Sequence, residues 1–178
     1  MRNIFFVLVV IYADFAFAEN AATPPVITVS DAGVGPINAK TPFNQKAIQK
    51  LLPTLNVTKS VGSSEGEEFP VLEVSDKNGL LFTINSSEKK IFSVVFEKDR
   101  VTNELGHKIG ERYEKVYKNG SGKCTAGLGE YSGSVFCSAP GSKHINYVFD
   151  GQWNGSESEV PPLKILNGWT ISAIFWKP

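Results

Sequence analysis

The chain has 178 residues, and its 18 lysines and arginines are balanced by 18 aspartates and glutamates. This balance leaves no basic excess to hold a phosphate backbone, so nucleic acid is not an expected partner. A chain of this length makes one domain, or two small halves that share a core.

Residues 1–18 have the pattern of a signal peptide. Arg2 precedes a short apolar run from Ile4 to Tyr12, and Ala16-Phe17-Ala18 places small residues where a signal peptidase cleaves. The apolar run is shorter than the roughly 20 residues that span a bilayer. We therefore expect a periplasmic protein that is cleaved near Ala18, with no transmembrane segment in the mature chain. Residues 19–25 end in two prolines and are predicted to be a flexible tether.

Residues 26–178 are predicted to form a single α+β domain, mainly antiparallel β-sheet with two short helices. Thr41-Pro42 combines a capping residue with a proline suited to the first turn, and an apolar stripe that includes Ile48 and Leu52 follows. Leu105 to Gly110 is expected to lead into a second helix, whose apolar stripe is Ile109, Tyr113, Val116 and Tyr117. Apolar runs predict strands at Val26–Val29, Val57–Val61, Phe69–Val74, Leu80–Ile84, Ile91–Phe96, His144–Asp150 and Trp169–Trp176. Because Ile91–Phe96 is apolar on both faces, it is expected at the centre of the sheet.

The domain also divides into two possible half-repeats, residues 26–100 and 101–178, each a helix followed by three strands. Ile91–Phe96 matches Ile171–Trp176, and the preceding strands correspond in order. Packing two such units together would bury apolar faces that neither hides alone, and the groove between them would be the natural binding location. The alternative is that any two α+β halves look alike at this level.

Cys124 and Cys137 are the two cysteines of the chain. An exported protein with an even cysteine count favours a disulfide, which would stabilise the fold by about 3 kcal/mol in the chain-entropy model. The spacing is not that of a redox pair, and no cluster of histidines indicates a metal site. We expect neither a metal nor a cofactor.

The residues available for catalysis are few, because His107 and His144 are the only histidines. His144 and Asp150 share a face of one predicted strand, but the strand rise places them about 20 Å apart. The protein is therefore predicted not to be an enzyme and to have no catalytic residues.

The predicted binding residues are Tyr131, Ser132, Ser134, His144 and Trp153. Trp153 lies in a polar loop between Gly151 and Gly155, which makes it the best candidate for an exposed aromatic contact. The serines flank Gly133 between the cysteines, where they form either a contact loop or a simple bend.

The second half resembles a family of bacterial envelope proteins catalogued as domain of unknown function 1131. The resemblance is carried by Gly141-Ser142-x-His144, by Gly151-x-Trp153-x-Gly155 and by the closing Trp169 and Trp176. It implies an envelope location and an α+β fold but no known reaction. The lipid-attachment cysteine of that family's start is absent, so outer-membrane anchoring is not implied.

These observations predict an exported, non-enzymatic binding or accessory protein of the cell envelope, whose partner is an unknown protein or glycan. The first alternative is a periplasmic lysozyme inhibitor that uses the loop from Tyr131 to Ser134. The second is a hydrolase of envelope glycan or lipid with His107 or His144 as its base.

Overall fold

The computed structural model describes residues 27–118, 120 and 122–178, so the predicted signal peptide and tether lie outside the described residues. The described backbone is mainly antiparallel β-sheet with three short α-helices, which confirms the α+β prediction. None of the described helices combines the length and the apolar character needed to cross a membrane.

The elements of the described chain are numbered in sequence order. The strands are β1 Thr28–Ser30, β2 Gly33–Val34, β3 Asn56–Ser64, β4 Glu67–Asp76, β5 Gly79–Ser87, β6 Lys90–Phe96, β7 Thr102–Asn103, β8 Cys124–Ala126, β9 Val135–Ser138, β10 Ile145–Asp150 and β11 Thr170–Trp176. The α-helices are α1 Gln45–Leu51, α2 Tyr113–Val116 and α3 Leu163–Leu166, and a 3-10 turn spans Gly129–Tyr131.

One eight-stranded sheet has the order β3-β4-β5-β6-β11-β10-β9-β8, and all of its pairs are antiparallel. The central pair joins β6 to β11 through Val94 opposite Trp176 and Phe96 opposite Ile174. The central position predicted for β6 is therefore confirmed. Strands that correspond in the two halves occupy equivalent places on either side of this pair, but the half-repeat itself remains a prediction.

The main hydrophobic core covers one face of this sheet, which we call the inner face. Ile145, Tyr147 and Phe149 alternate along β10 and are all fully buried there. The helices and the small sheet β2-β1-β7 cover them and contribute Val29, Ile48 and other residues to the same core. The period of two along β10 therefore indicated the buried face correctly.

The helices differ from the prediction in detail. Helix α1 begins after Asn44, whose side chain accepts a hydrogen bond from the Ala47 amide at 3.1 Å. The predicted cap at Thr41 is wrong, because its hydroxyl accepts from the Asn38 amide at 3.0 Å in the preceding turn. Helix α2 is a single turn with Tyr113 buried, and α3 was not predicted.

Candidate ligand-binding site

A smaller apolar cluster lies on the opposite face of the sheet, which we call the outer face. Its buried members come from four neighbouring positions on β6, β10 and β11, namely Val95, Val148, Ala173 and Phe175. Tyr131 and Phe136 pack against it from the region of the cysteines. The sheet is therefore apolar on both sides at its centre.

The hairpin of β8 and β9 carries the loop that reaches this cluster. Cys124 and Cys137 face each other in the strand register and form the predicted disulfide at the base of the hairpin. The loop of residues 127–134 is closed by a 2.8 Å hydrogen bond from the Gly127 amide to the Ser134 carbonyl. A side chain at Gly127 would place its Cβ only 2.0 Å from the Tyr131 carbonyl oxygen, so the loop requires glycine there.

Tyr131 holds the loop against the outer face. Its ring meets Phe136 and Phe175 edge to face, with centroids 5.2 and 5.5 Å apart. Burial raises the pKa of the Tyr131 hydroxyl, and the nearby Glu130 and Glu97 raise it further. Tyr131 is therefore a neutral aromatic group at ordinary pH and packs as part of the sheet surface.

The tip of the β3–β4 hairpin approaches this loop from the other half of the sheet. A Cβ built on Gly129 would lie 3.3 Å from Glu65 Oε1 and 3.7 Å from Ser64 Oγ. Gly129 and Glu65 both have positive φ, at 59° and 53°, so each turn bends sharply where the two segments meet. We call this meeting of Glu65 with Gly129 the bridge.

Two adjoining cavities of about 460 and 220 Å³ lie on the outer face beside the bridge. They share four lining residues, Phe69, Asn85, Glu130 and Tyr131. We call the pair the outer trough. Its larger cavity is also lined by residues of β6, β9 and β11, so it crosses the central β6–β11 junction between the two predicted halves.

The larger cavity has an aromatic lining with one cation. Lys177 Nζ lies 5.5 Å from the ring centroid of Phe92, 5.9 Å from Phe136 and 5.8 Å from Phe175. Phe92 is 54% exposed although it belongs to a central strand. Lys177 takes part in none of the ion pairs found among residues 27–118, 120 and 122–178.

Polar groups line the rest of the outer trough. The Asn85 amide donates to the buried Ser93 hydroxyl at 3.1 Å, which satisfies a buried polar group in the lining of the larger cavity. The smaller cavity carries Glu73, Glu97 and Glu130. The trough is therefore acidic at one side and carries the Lys177 ammonium at the other.

A separate cavity, of about 520 Å³, surrounds Trp153 and is lined by Gly133, residues 151–155, Glu157 and Glu159. The Ser132 hydroxyl donates to Glu157 Oε2 at 2.7 Å and ties the two loops together. A Cβ on Gly155 would lie 2.1 Å from the Trp153 ring, so this glycine lies flat on the indole. Trp153 is thus half-buried and held in place.

The predicted binding residues therefore fall into three places. Trp153 lines the cavity that surrounds it, and Ser132 and Ser134 flank Gly133 of the same lining, with Ser132 hydrogen-bonded to Glu157; Tyr131 lines the outer trough. His144 lies before the first residue of β10, at the end of that strand opposite Trp153. Their binding roles remain predictions.

His144 is engaged by the backbone. Its Nδ1 donates to the Lys177 carbonyl at 2.7 Å, because a carbonyl oxygen can only accept. The Asp31 carboxylate accepts from the Ser142 hydroxyl and from the amides of Lys143 and His144. The Ser142 hydrogen bond is the largest cause of the lowered Asp31 pKa. The Ser142 hydroxyl is thus hydrogen-bonded to the Asp31 carboxylate, and the His144 imidazole is hydrogen-bonded to a backbone carbonyl. In a nucleophilic triad the imidazole would instead lie between the serine and the acid.

The other histidine forms a different pair. His107 Nδ1 lies 3.1 Å from Glu111 Oε2, and its ring meets the Tyr147 ring edge to face. In the described part of the chain, no hydrogen bond joins His107 to a hydroxyl or a thiol. Likewise, the described residues contain no group of three or more side chains suited to hold a metal ion.

The chain is similar to known proteins of one family. A family model described as "Protein of unknown function (DUF1131)" matches residues 21–178. The chain belongs to this family. It is 29% identical over 150 residues to the uncharacterized protein YfeY of Escherichia coli strain K12, which covers 84% of this chain and 78% of that protein. The crystal structure of YfeY matches with a TM-score of 0.69 at 27% identity, over 86% of this chain and all of that one.

Apart from Tyr131, the principal residues of the outer trough were missed by sequence reasoning. Ile91–Phe96 was correctly placed at the sheet centre, but an apolar strand of this kind does not reveal that Phe92 stays exposed. Lys177 follows Phe175 by two residues, and this spacing places both side chains on one face of an extended segment. That spacing is the sequence feature that could have identified Lys177 as a neighbour of Phe175.

Proposed function

We propose that the chain is an exported binding protein of the bacterial cell envelope that catalyses no reaction, and that the outer trough is its contact surface. The observation that carries the proposal is the aromatic cavity of about 460 Å³ over the central strands. A concave apolar surface with a few converging polar groups is the usual form of a ligand site.

The surroundings of the trough support binding. Its larger cavity combines Phe92, Phe136 and Phe175 with the Lys177 ammonium, and the hydrogen-bonded pair of Asn85 and Ser93 also lines it. Large exposed aromatic surface is unfavourable in water, so a partner that covers Phe92 would gain from its removal from solvent. The two histidines lie outside the lining of the trough.

Export is supported by the N-terminal pattern and by the disulfide. A bond between Cys124 and Cys137 persists in an oxidising compartment such as the periplasm, and a reducing cytoplasm disfavours it. The zero net charge and the neutral Tyr131 are compatible with a ligand recognised mainly by apolar contact.

The test is site-specific photo-crosslinking in intact cells that export the protein. A photoreactive residue at Phe92 is compared with one at Leu51, an exposed apolar position on α1 of similar character. We expect a saturable envelope adduct from position 92 and none at position 51. Equal, non-saturable labelling at both positions would contradict the proposal.

A lysozyme inhibitor is the second candidate. The observation in its favour is that Leu128, in a loop anchored by the disulfide, is 81% exposed. A rigid loop with an exposed tip suits insertion into a cleft. Full lysozyme turnover in the presence of saturating protein would remove this candidate, and inhibition lost on Leu128→Ser would favour it over the trough.

The hydrolase alternative has a separate test. Purified protein is incubated with envelope glycan and lipid at several pH values, and the products are analysed by mass spectrometry. Product formation that is lost on His107→Ala would contradict the proposed lack of catalysis.

A further inference from the structure

We infer that the larger cavity of the outer trough binds a linear acyl chain with an anionic head group, and that the head group pairs with Lys177. This inference rests on the proposed function and names its ligand class. The observations that carry it are the aromatic lining, the charge distribution and the size of the cavity.

The lining selects an apolar ligand. Five aromatic side chains border the cavity, those of Phe69, Phe92, Tyr131, Phe136 and Phe175. Tyr131, Phe136 and Phe175 lie edge to face with centroids 5.2 to 5.5 Å apart, so these rings support each other as a preformed wall. Phe69 is fixed from the other half, because its ring lies against Gly62 of the neighbouring strand, where a Cβ would be 2.7 Å away.

The charged residues of the cavity determine the sign of the ligand's charge and the orientation of the ligand. Lys177 and Glu130 are the charged groups that line this cavity, and Glu130 lies on the boundary shared with the smaller, acidic cavity. An anionic head would be repelled from Glu73, Glu97 and Glu130 and attracted to Lys177. The head group therefore lies at Lys177, and the chain runs across the rings towards Phe69 and Tyr131.

The volume of the larger cavity favours a ligand with a single acyl chain. A volume of about 460 Å³ lies in the lower part of the usual range for ligand pockets, roughly 300 to 1,000 Å³. This space suits a single medium-length chain and is small for a lipid with several chains. The chemistry is thus that of a fatty-acid carboxylate or of one anionic, single-chain lipid.

The experiment titrates the purified protein with octanoate, decanoate and dodecanoate by calorimetry below their micelle concentrations. Each added methylene that is buried should raise the affinity about fourfold. Dodecanol and dodecylamine serve as neutral and cationic probes of the same chain length. We expect dodecanoate to bind at least about tenfold more tightly than either probe, because a hydrogen bond between charged groups contributes more than one between neutral groups.

Variants separate the head from the tail. Lys177→Gln should weaken dodecanoate about tenfold and leave dodecanol unchanged, whereas Lys115→Gln on α2 should change neither. Phe92→Ser should weaken both ligands. Affinity that is independent of chain length, equal binding of dodecylamine, or no effect of Lys177→Gln would overturn the inference.

The crosslinking result distinguishes the two proposals. If dodecanoate does not bind but position 92 still captures an envelope component saturably, the ligand class is wrong and the proposed function stands. If dodecanoate does not bind and position 92 captures nothing saturably, both the ligand class and the proposed function are wrong. A protein that dimerises through the trough, with dimerisation lost in Phe92→Ser, would also overturn the acyl-chain inference.

Discussion

The two faces of the eight-stranded sheet are both apolar, but they are covered to different extents. On the inner face, Tyr147 and Phe149 are fully buried beneath helices and the small sheet. On the outer face, the loop of residues 127–134 covers Phe175 through Tyr131, whereas Phe92 remains 54% exposed. The inner face is therefore a complete core, and the outer face is a partial one with an open cavity.

This difference separates stability from binding. Apolar surface that is already buried in the fold contributes to folding, and surface that stays in water can contribute only when a partner covers it. Substitutions on the inner face should therefore unfold the protein, while substitutions at Phe92 should spare the fold and affect the ligand.

The largest expected effect is at Phe149. The substitution Phe149→Ala removes a ring that packs against Tyr113 with centroids 5.0 Å apart. It should lower the free energy of unfolding by about 3–5 kcal/mol, as measured by denaturant titration. A loss below about 1 kcal/mol would show that the inner face is not the main core.

The disulfide is next. Replacing Cys124 and Cys137 by alanine removes a crosslink between residues 13 apart in sequence. We expect a loss of about 3 kcal/mol and faster hydrogen exchange in the loop of residues 127–134. Unchanged exchange in this loop would contradict the view that the disulfide holds one wall of the outer trough.

A smaller effect is expected where a glycine lies against a tryptophan ring. In Gly151→Ala the new Cβ would lie 2.1 Å from the Trp169 ring, and the overpacking should destabilise the fold by about 1–3 kcal/mol. Gly168→Ala is the matched control, because its Cβ would meet Ile165 O at an ordinary 3.6 Å. Similar unfolding free energies for both variants would refute the close approach.

Phe92→Ser tests the outer face directly. Because Phe92 is half-exposed, its replacement should change the free energy of unfolding by no more than about 0.5 kcal/mol. The same variant should lose the crosslinked adduct and most of the affinity for dodecanoate. Strong destabilisation would instead assign Phe92 to the core.

The smallest effect concerns pH. The Asp31 pKa is lowered from its ordinary value of 3.8, chiefly by the Ser142 hydroxyl, so this contact stabilises the folded state above that value. The contribution is lost as the pH falls through the lowered folded pKa. The difference in melting temperature between the native protein and Ser142→Ala should therefore be larger at pH 7 than at acidic pH below the lowered Asp31 pKa, whereas a pH-independent difference would contradict the assignment.

The sequence predicted those features of the fold that follow from the local pattern of apolar residues. The alternation of Ile145, Tyr147 and Phe149 identified a buried face, and the apolar run ending at Phe96 identified a central strand. The helix cap was mistaken because Thr41 and Asn44 are both good capping residues, and only the fold decides between them.

The outer trough could not be predicted in the same way. It lies beside the bridge between Glu65 and Gly129, two residues that are far apart in sequence and belong to opposite edges of the sheet. The half-repeat hypothesis suggested a groove between halves, and the trough does cross their junction at β6 and β11. Its aromatic lining, however, combines strand residues with Tyr131 of the loop, and periodicity does not specify that Phe92 stays exposed or that Tyr131 packs on the sheet.

The most direct test is to record the backbone amide NMR spectrum of the assigned protein while dodecanoate is added. If the outer trough is the binding surface, the shift changes will concentrate at Phe92, Tyr131, Phe175 and Lys177, and the amide of Ile48 on α1, over the inner face, will move little. Changes confined to the Trp153 loop, or none at saturating dodecanoate, would contradict this account.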